Sequence, residues 1–300
     1  MEFICPHCRG SLRIVSEREL YCPRDGFTFQ QVDGIWRFLS PNRELYYARF
    51  ISDYEAVRRF EGRYSTDSSY YRSLPFKDIT GRFSTDWKIR AASYRVLEKM
   101  IEPAMQVVDL GAGNGWLSNR LAGYCAQVYA VDLLVNEEDG LGTWKQYENK
   151  FTSVQAEFLS LPFTDDFASL VVFNASFHYS ENYEEALTES LRILQPGGKI
   201  IIMDSPVYHL AESGEIMVVE RKAGFLSRYG FASDALQSES YLTYARMQTL
   251  GEKLNIRWRH IRPCYGLYWQ MRPWLARIRG LREPAEFGLW VGLKSETKSH

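Results

Sequence analysis

Val107-Val108-Asp109-Leu110-Gly111-Ala112-Gly113-Asn114-Gly115-Trp116-Leu117 is an apolar run closed by an acid, then a glycine turn, then a helical pattern through Leu117, Leu121 and Ala122. This order predicts a buried strand, a tight turn and a helix start. Glycine suits positions where the backbone takes positive φ or must approach a ligand closely. The helix N-terminus behind the turn offers N–H groups without intrahelical partners. The segment is therefore suited to hold a small polar ligand. A dinucleotide loop spaces its glycines G-x-G-x-x-G. Counted from Gly111, the third of those would be Trp116; here the spacing is G-x-G-x-G, with Asp109 two residues before it.

That spacing resembles motif I of the class I S-adenosylmethionine (SAM) methyltransferases. The resemblance implies a loop that wraps the methionine and ribose part of SAM, with Asp109, Gly111, Ala112, Gly113 and Asn114 as cofactor-binding candidates. A second strand, Gln127 to Asp132, also ends in an acid, about 20 residues past the glycines. In nucleotide-binding α/β folds such an acid accepts hydrogen bonds from ribose hydroxyls. Asp132 and Leu133 join the candidates, and the Asp139-Gly140-Leu141-Gly142 turn is expected to close nearby. Val154 to Phe163 resembles the segment after the family's third strand, where an acid precedes Leu-Pro-Phe. This places Glu157 on the adenine amino group and Phe158 against the ring, with Glu standing where Asp is usual. Leu170 to Tyr179 resembles motif IV. Asn174 is a cofactor candidate there, and Ser176, His178 and Tyr179 are expected near the transferred methyl. His178 reads either as a general base, since histidine titrates near neutrality, or as a residue that shapes the pocket. The acid usual within that strand motif is Ser169 here. A helix from Tyr183 leads into Leu194-Gln195-Pro196-Gly197-Gly198, which resembles the L-x-P-G-G turn before the fifth strand. The ordered set implies an α/β, Rossmann-like, seven-stranded class I methyltransferase fold over residues 101–300.

Residues 1–40 read as a small separate module. Cys5-Pro6-His7-Cys8 and Cys22-Pro23-Arg24-Asp25 are two similar turns, each placing two side chains at i and i+3. A tetrahedral zinc site needs that geometry twice, and so short a segment gains from a metal staple. The module resembles the zinc ribbons at the N-terminus of some methyltransferases. Its candidate ligands are Cys5, Cys8, Cys22 and Asp25, the last standing where a fourth cysteine is expected. A degenerate ribbon without metal is the alternative. Five cysteines do not suggest a disulfide framework in a cytosolic chain.

Residues 41–100, rich in Tyr and Arg, read as a helical cap. One helix is expected around Phe50 to Phe60 and another from about Asp86 through Ile101, with loops at Leu74-Pro75-Phe76 and Thr80-Gly81-Arg82. In the family this segment often covers the active site, which implies that Tyr46, Tyr47, Tyr54, Arg58, Arg59, Arg63, Tyr64, Tyr70, Tyr71 and Arg72 line a substrate cavity, with Arg90 or Trp87 reaching the cofactor from the same side. Lid insertions are expected at about 205–250 and 265–285. The first holds two helices divided near Ser233-Asp234, with Tyr208 and His209 as candidate catalytic residues; the second is a basic helix, Met271 to Arg282. Strands are expected at Ile256–Ile261 and about Glu286–Leu293, with a polar tail to His300.

The net charge of −1 conceals +4 over residues 1–100, −11 over 101–250 and +6 over 251–300. A basic face attracts phosphate or nucleic acid, or is ordinary surface. No apolar run reaches the roughly 20 residues that span a bilayer, and Met1 to Pro6 lacks the pattern of a signal peptide. The expectation is a cytoplasmic methyltransferase with no membrane partner. Asn174-Ala175-Ser176-Phe177 differs from the Asn-Pro-Pro-Tyr of many amino-group methyltransferases. SAM, zinc, and a small-molecule or glycan acceptor form the main reading. An RNA methyltransferase gripping RNA with the ribbon is the alternative, since one ribosomal-RNA guanine methyltransferase family pairs such a ribbon with this fold. A non-catalytic SAM-binding scaffold is the third.

Overall fold

The computed structural model describes residues 3–232 and 234–294. The expected helix boundary at Ser233, the start at Met1 and the tail beyond Lys294 lie outside those residues. The chain begins with β1 (Arg13–Ser16), β2 (Glu19–Tyr21), β3 (Thr28–Val32) and β4 (Ile35–Arg37). The cap follows as α1 (Pro41–Glu61), α2 (Ser68–Ser73) and α3 (Ser84–Leu97). Then come β5 (Gln106–Leu110), α4 (Trp116–Ala122), β6 (Gln127–Asp132), β7 (Thr152–Gln155), β8 (Ala168–Asn174), α5 (Tyr183–Ile193) and β9 (Leu194–Met203). The remainder is β10 (Val207–Tyr208), α6 (Ala211–Tyr229), β11 (Leu242–Thr243), α7 (Tyr244–Leu254), β12 (Ile256–Ile261), α8 (Leu267–Ile278) and β13 (Leu289–Lys294).

The central sheet runs β7-β6-β5-β8-β9-β13-β12. β5 to β9 are parallel, and β13 is antiparallel to both neighbours. These are the seven expected strands. Alternate residues of β5 serve opposite faces, as a period of two requires. Val108 and Leu110 join Phe163, Phe173 and α5 on one side; Val107 joins Tyr94, Leu97, Trp116 and Leu121 on the other. The Pro-Gly-Gly turn is absorbed into β9 as a bulge: Ala168 pairs with Leu194, but Leu170 pairs with Lys199.

The ribbon does not stand apart as a separate module. β4 pairs in parallel with β7, from Ile35 opposite Ser153 to Arg37 opposite Gln155, so the sheet continues through β4, β3, β2 and β1 to eleven strands. Phe3, Leu20, Phe29 and Phe38 belong to the same core as β6 and β7. The open edge of β7 has backbone groups to satisfy, and β4 satisfies them.

Helix limits follow local chemistry. α1 has Pro41 in its first turn and ends on Gly62 at φ 65°. Asn182 caps α5 by accepting from the Glu184 and Glu185 N–H groups. The short α2, capped by Asp67, was not expected. α8 starts at Leu267 and carries Pro273 inside it, and β13 starts three residues later than expected because β12 pairs only as far as Leu289.

Candidate active site

A cavity of about 100 Å³ opens at the carboxyl ends of β5 to β8, under α1. Such sheets bind ligands there. Gly111, Gly113, Asp132, Leu133, Glu157 and Phe158 all border it, as expected. The two glycines do different work. Gly111 sits at φ 77°, and a Cβ on it would lie 2.2 Å from Ser176 Cβ. Gly113, at φ 53°, would direct a Cβ into open space, with only the Asp139 carbonyl at 3.9 Å. The space over Gly113 is the cradle.

Asp132 ties the turn to the next loop. Its carboxylate accepts from Gly113 N–H and Leu134 N–H, each at 2.8 Å. Burial pushes its pKa up to about 6, against those two backbone donors. Asp109, Ala112 and Asn114, expected at the cofactor, do not border this cavity. Asp109 is fully buried behind the turn, where it accepts from Ser118 Oγ at 2.7 Å. Burial raises it to about 7. Asn114 turns inward, accepting from Trp116 N–H and donating to Asp139. These residues brace the loop. Asn174 closes β8 with its buried Oδ1 unpartnered among the described residues.

Glu157 borders the cavity and has partners that the sequence did not suggest. Its carboxylate is held by Arg43 of α1, with Arg43 Nε 3.0 Å from both oxygens, and by Tyr47 OH at 2.9 Å. The side chain expected on the adenine amino group is thus also the latch for one end of the cap. At the other end Arg58 pairs with Asp139, Nη2 to Oδ1 at 3.0 Å. Between the latches, Tyr47, Phe50 and Tyr54 face the cavity. Arg43, Tyr47, Phe50, Tyr54 and Arg58 lie at helical spacing, a stripe present in the sequence but not distinguishable there from an ordinary packing face. Leu236, which also borders the cavity, carried no sequence signal.

A second cavity of about 200 Å³ adjoins the first, sharing Phe50, Tyr54, Tyr179 and Leu236. Arg58, Arg63 and Arg221 line it. Arg58 is answered by Asp139, and Arg63 by Glu61 and Asp86. Arg221 meets only Ser240 Oγ, at 2.9 Å, and its buried Nε has no partner among the described residues. Arg90 lies over the Trp87 ring at 4.9 Å, with no described carboxylate in ion-pair range. Trp87 itself packs edge-on against Trp116, away from the first cavity.

Tyr179 faces both cavities, whereas the preceding His178 turns back, its Nδ1 3.2 Å from Ser205 Oγ. Burial, then Arg221 and Arg90, hold its pKa down to about 3. It is neutral and weakly basic. Tyr208 and His209 do not join it. Tyr208 is buried with its OH 3.5 Å from Arg282, and His209 stacks on Tyr244 beside Glu286. Both anchor the 282–286 segment, because β10 and Glu286 bridge directly.

In the ribbon, one ligand atom from each of Cys5, Cys8, Cys22 and Asp25 lies within 4.8 Å of the others. Tetrahedral zinc with sulfur ligands at 2.3 Å separates them by roughly 3.8 Å. The donor set and its spacing fit zinc. His7 packs against Phe27 instead.

Residues 108–202 match a family model described as a methyltransferase domain. The sarcosine/dimethylglycine N-methyltransferase of Halorhodospira halochloris is 31% identical over 162 residues, covering 50% of this chain and 58% of that protein. A ubiquinone/menaquinone biosynthesis C-methyltransferase of Vibrio campbellii is 28% identical over 109 residues, 34% of this chain and 42% of that one. The chain thus spans about half the length of these curated relatives. Among solved structures, the YcgJ protein of Bacillus subtilis has a TM-score of 0.51 at 15% identity, covering 69% of this chain and 99% of that one. The complex of the Haloferax volcanii Trm112 methyltransferase activator with a methyltransferase gives 0.52 at 17%, covering 74% and 94%. These two likenesses concern the fold alone. Sheet order, glycine turn and family match fall in one place, so that residues 108–202 resemble a methyltransferase domain on a matching α/β sheet.

Proposed function

We propose that the chain moves a methyl group from SAM to a small molecule bearing an acidic group, and that the ribbon holds a structural zinc. The cavity whose floor is the open face of Gly113 and whose wall is Asp132 carries this reading. SAM supplies a methyl group already activated on a sulfonium, so the protein's part is positioning and exclusion of water. Asp132 would hold the ribose with its remaining lone pairs. Gly113 gives the methionine end room, and Phe158 and Leu134 flank the base. Glu157, fixed by Arg43 and Tyr47, would present its oxygens at the adenine edge.

The acceptor belongs in the second cavity. Arg221 makes no ion pair among the described residues and its buried Nε is unpartnered, and a partly buried cation calls for a counter-charge. A carboxylate or phosphate on the acceptor would supply it. His178 is a weak base, so the reading favours an acceptor atom that needs no deprotonation by it. The cap latched at both ends leaves a closed aromatic chamber, which supports a small acceptor over RNA. The two curated relatives named above, which by their names methylate small molecules, point the same way. Cys5, Cys8, Cys22 and Asp25 would bind the zinc.

Calorimetric titration of SAM and S-adenosylhomocysteine tests the cofactor site. Wild type binds in the micromolar range, and Gly113→Arg, which fills the cradle, abolishes binding without unfolding the chain. A folded wild type that binds neither would sink the enzyme reading and leave a scaffold. With an acceptor in hand, Arg221→Leu raises its KM on the order of tenfold or more and leaves SAM affinity unchanged.

A further inference from the structure

α8 has no buried residue. Leu267, Met271, Trp274 and Ile278 stand at i, i+4, i+7 and i+11, which is one face of a helix. They are 78%, 48%, 60% and 63% exposed, and Leu281, just past the end of the helix, is 61% exposed. The opposite face attaches the helix to the domain through Trp269, which packs on Phe287 and Tyr265. Large apolar side chains in single file on an outward face mark an interaction surface.

The charge around the stripe names the partner. Residues 262–282 contain five arginines and no acid. Arg262 and Arg282 are paired with Glu286 and Glu220. Arg277 and Arg279, on opposite flanks of the stripe, meet no carboxylate among the described residues. Neither does Arg272, whose guanidinium lies 4.0 Å from the Trp269 ring centroid. It borders a cavity of about 440 Å³ at the foot of α8, walled by Pro263, Tyr265, Trp269 and Phe287. An apolar stripe with a tryptophan, bordered by unpaired arginines, is the make-up of a helix that lies in a lipid interface. A protein partner of matching shape would bring acids to the arginines. A second copy of this chain would bring arginine against arginine.

We infer that α8 docks the protein on an anionic lipid surface, with Leu267, Met271, Trp274 and Ile278 entering the acyl boundary and Arg277 and Arg279 at the headgroups. Among the described residues no helix is long and apolar enough to cross a membrane, and the proposed contact is peripheral. Tyr265, just before α8, bonds Ser93, which bonds Asp204 at the end of β9. The base of α8 is therefore tied to the end of β9. The inference does not rest on the methyltransferase reading.

Vesicle flotation with the full chain tests it. Wild type floats with phosphatidylglycerol/phosphatidylcholine vesicles and far less with phosphatidylcholine alone, and added salt weakens the binding. The pair W274E/I278E lowers partitioning on the order of tenfold or more, with circular dichroism and melting unchanged because both side chains face solvent. R277E/R279E removes the preference for anionic vesicles. Wild type that fails to float at any phosphatidylglycerol content overturns the proposal, as does W274E/I278E floating as well as wild type. A dimer seen by light scattering and dissolved by W274E/I278E, without vesicle binding, would assign the stripe to a second copy instead.

Discussion

Gly111 and Gly113 sit two residues apart at positive φ, yet a methyl group on each meets different surroundings. At Gly111 it strikes Ser176, which is buried and bonded to the Leu110 carbonyl. Gly111→Ala should therefore cost about 1–3 kcal/mol of stability, read as a lower denaturation midpoint, whether or not SAM is present. Gly113→Ala should cost less and instead weaken SAM binding. Equal losses of stability in both variants would contradict this division of labour. Asp109, behind the same turn, makes a pH prediction. Burial raises it from the ordinary 3.8 to about 7, and each unit of such a shift is worth about 1.4 kcal/mol. At low pH the folded and unfolded chains both carry the proton, so nothing is lost. As pH rises from about 4 to about 7 the unfolded chain ionises first, and this group's contribution falls; above that the loss is complete. Asp109→Asn, which keeps the Ser118 contact, should gain on wild type between pH 5 and pH 8. A stability difference that is flat with pH would refute the assignment.

At the scale of elements, α1 decides whether the cavity is closed. Its two latches differ in burial: Arg58 and Asp139 are 19% and 7% exposed, against 32% and 11% for Arg43 and Glu157. Removing one partner of a buried pair leaves the other charge uncompensated, at about 3–5 kcal/mol. Arg58→Met should approach that range in urea denaturation. Arg43→Met should cost less, and show mainly as faster amide exchange over the first turns of α1. Little loss in either variant would mean the cap is held by its aromatic stripe alone. These latches also explain where sequence reading stopped. The glycine turn, the two acid-ending strands, Leu161-Pro162-Phe163 and the Pro-Gly-Gly turn were legible because each is a local pattern answering a local backbone need. Arg43 and Glu157 are 114 residues apart and Arg58 and Asp139 81 apart; nothing in either neighbourhood says which acid an arginine will meet. The sequence therefore suggests Glu157 at the adenine and α1 in a cap over the active site, but not the ion pairs that join cap and sheet. Orientation failed for the same reason. His178 and Tyr179 are adjacent, and only the packing of β8 on β9 turns one toward Ser205 and the other toward the cavity. The spacing of α8 was legible as a basic helix, but not that its apolar face points outward.

At the scale of the molecule, the N-terminal strands and the first cavity form one structure. β4 pairs with β7, and Phe38 N–H donates to the Gln155 carbonyl at 2.9 Å. Ile4 N–H reaches the Pro162 carbonyl at 3.0 Å, and Ser160 Oγ donates to the Pro6 carbonyl at 2.6 Å. Arg9 joins Glu189, whose other oxygen accepts from Leu161 N–H. The ribbon thus braces residues 157–163 from behind while Glu157 and Phe158 face the cavity from the front. A metal that holds Cys5 near Cys22 fixes the first residues of that brace, and metal-binding free energy is folding free energy in so small a unit. Calorimetry of the zinc-loaded chain should therefore show one cooperative transition spanning ribbon and sheet. Chelation, or Cys22→Ser, should lower its midpoint by several degrees and weaken SAM binding several-fold, although no ribbon residue borders the first cavity. A metal-free chain, verified by metal analysis, that melts and binds SAM as the loaded one does would show that the brace holds by packing alone. A separate low-temperature transition for the ribbon would show instead that the eleven strands do not fold as one sheet.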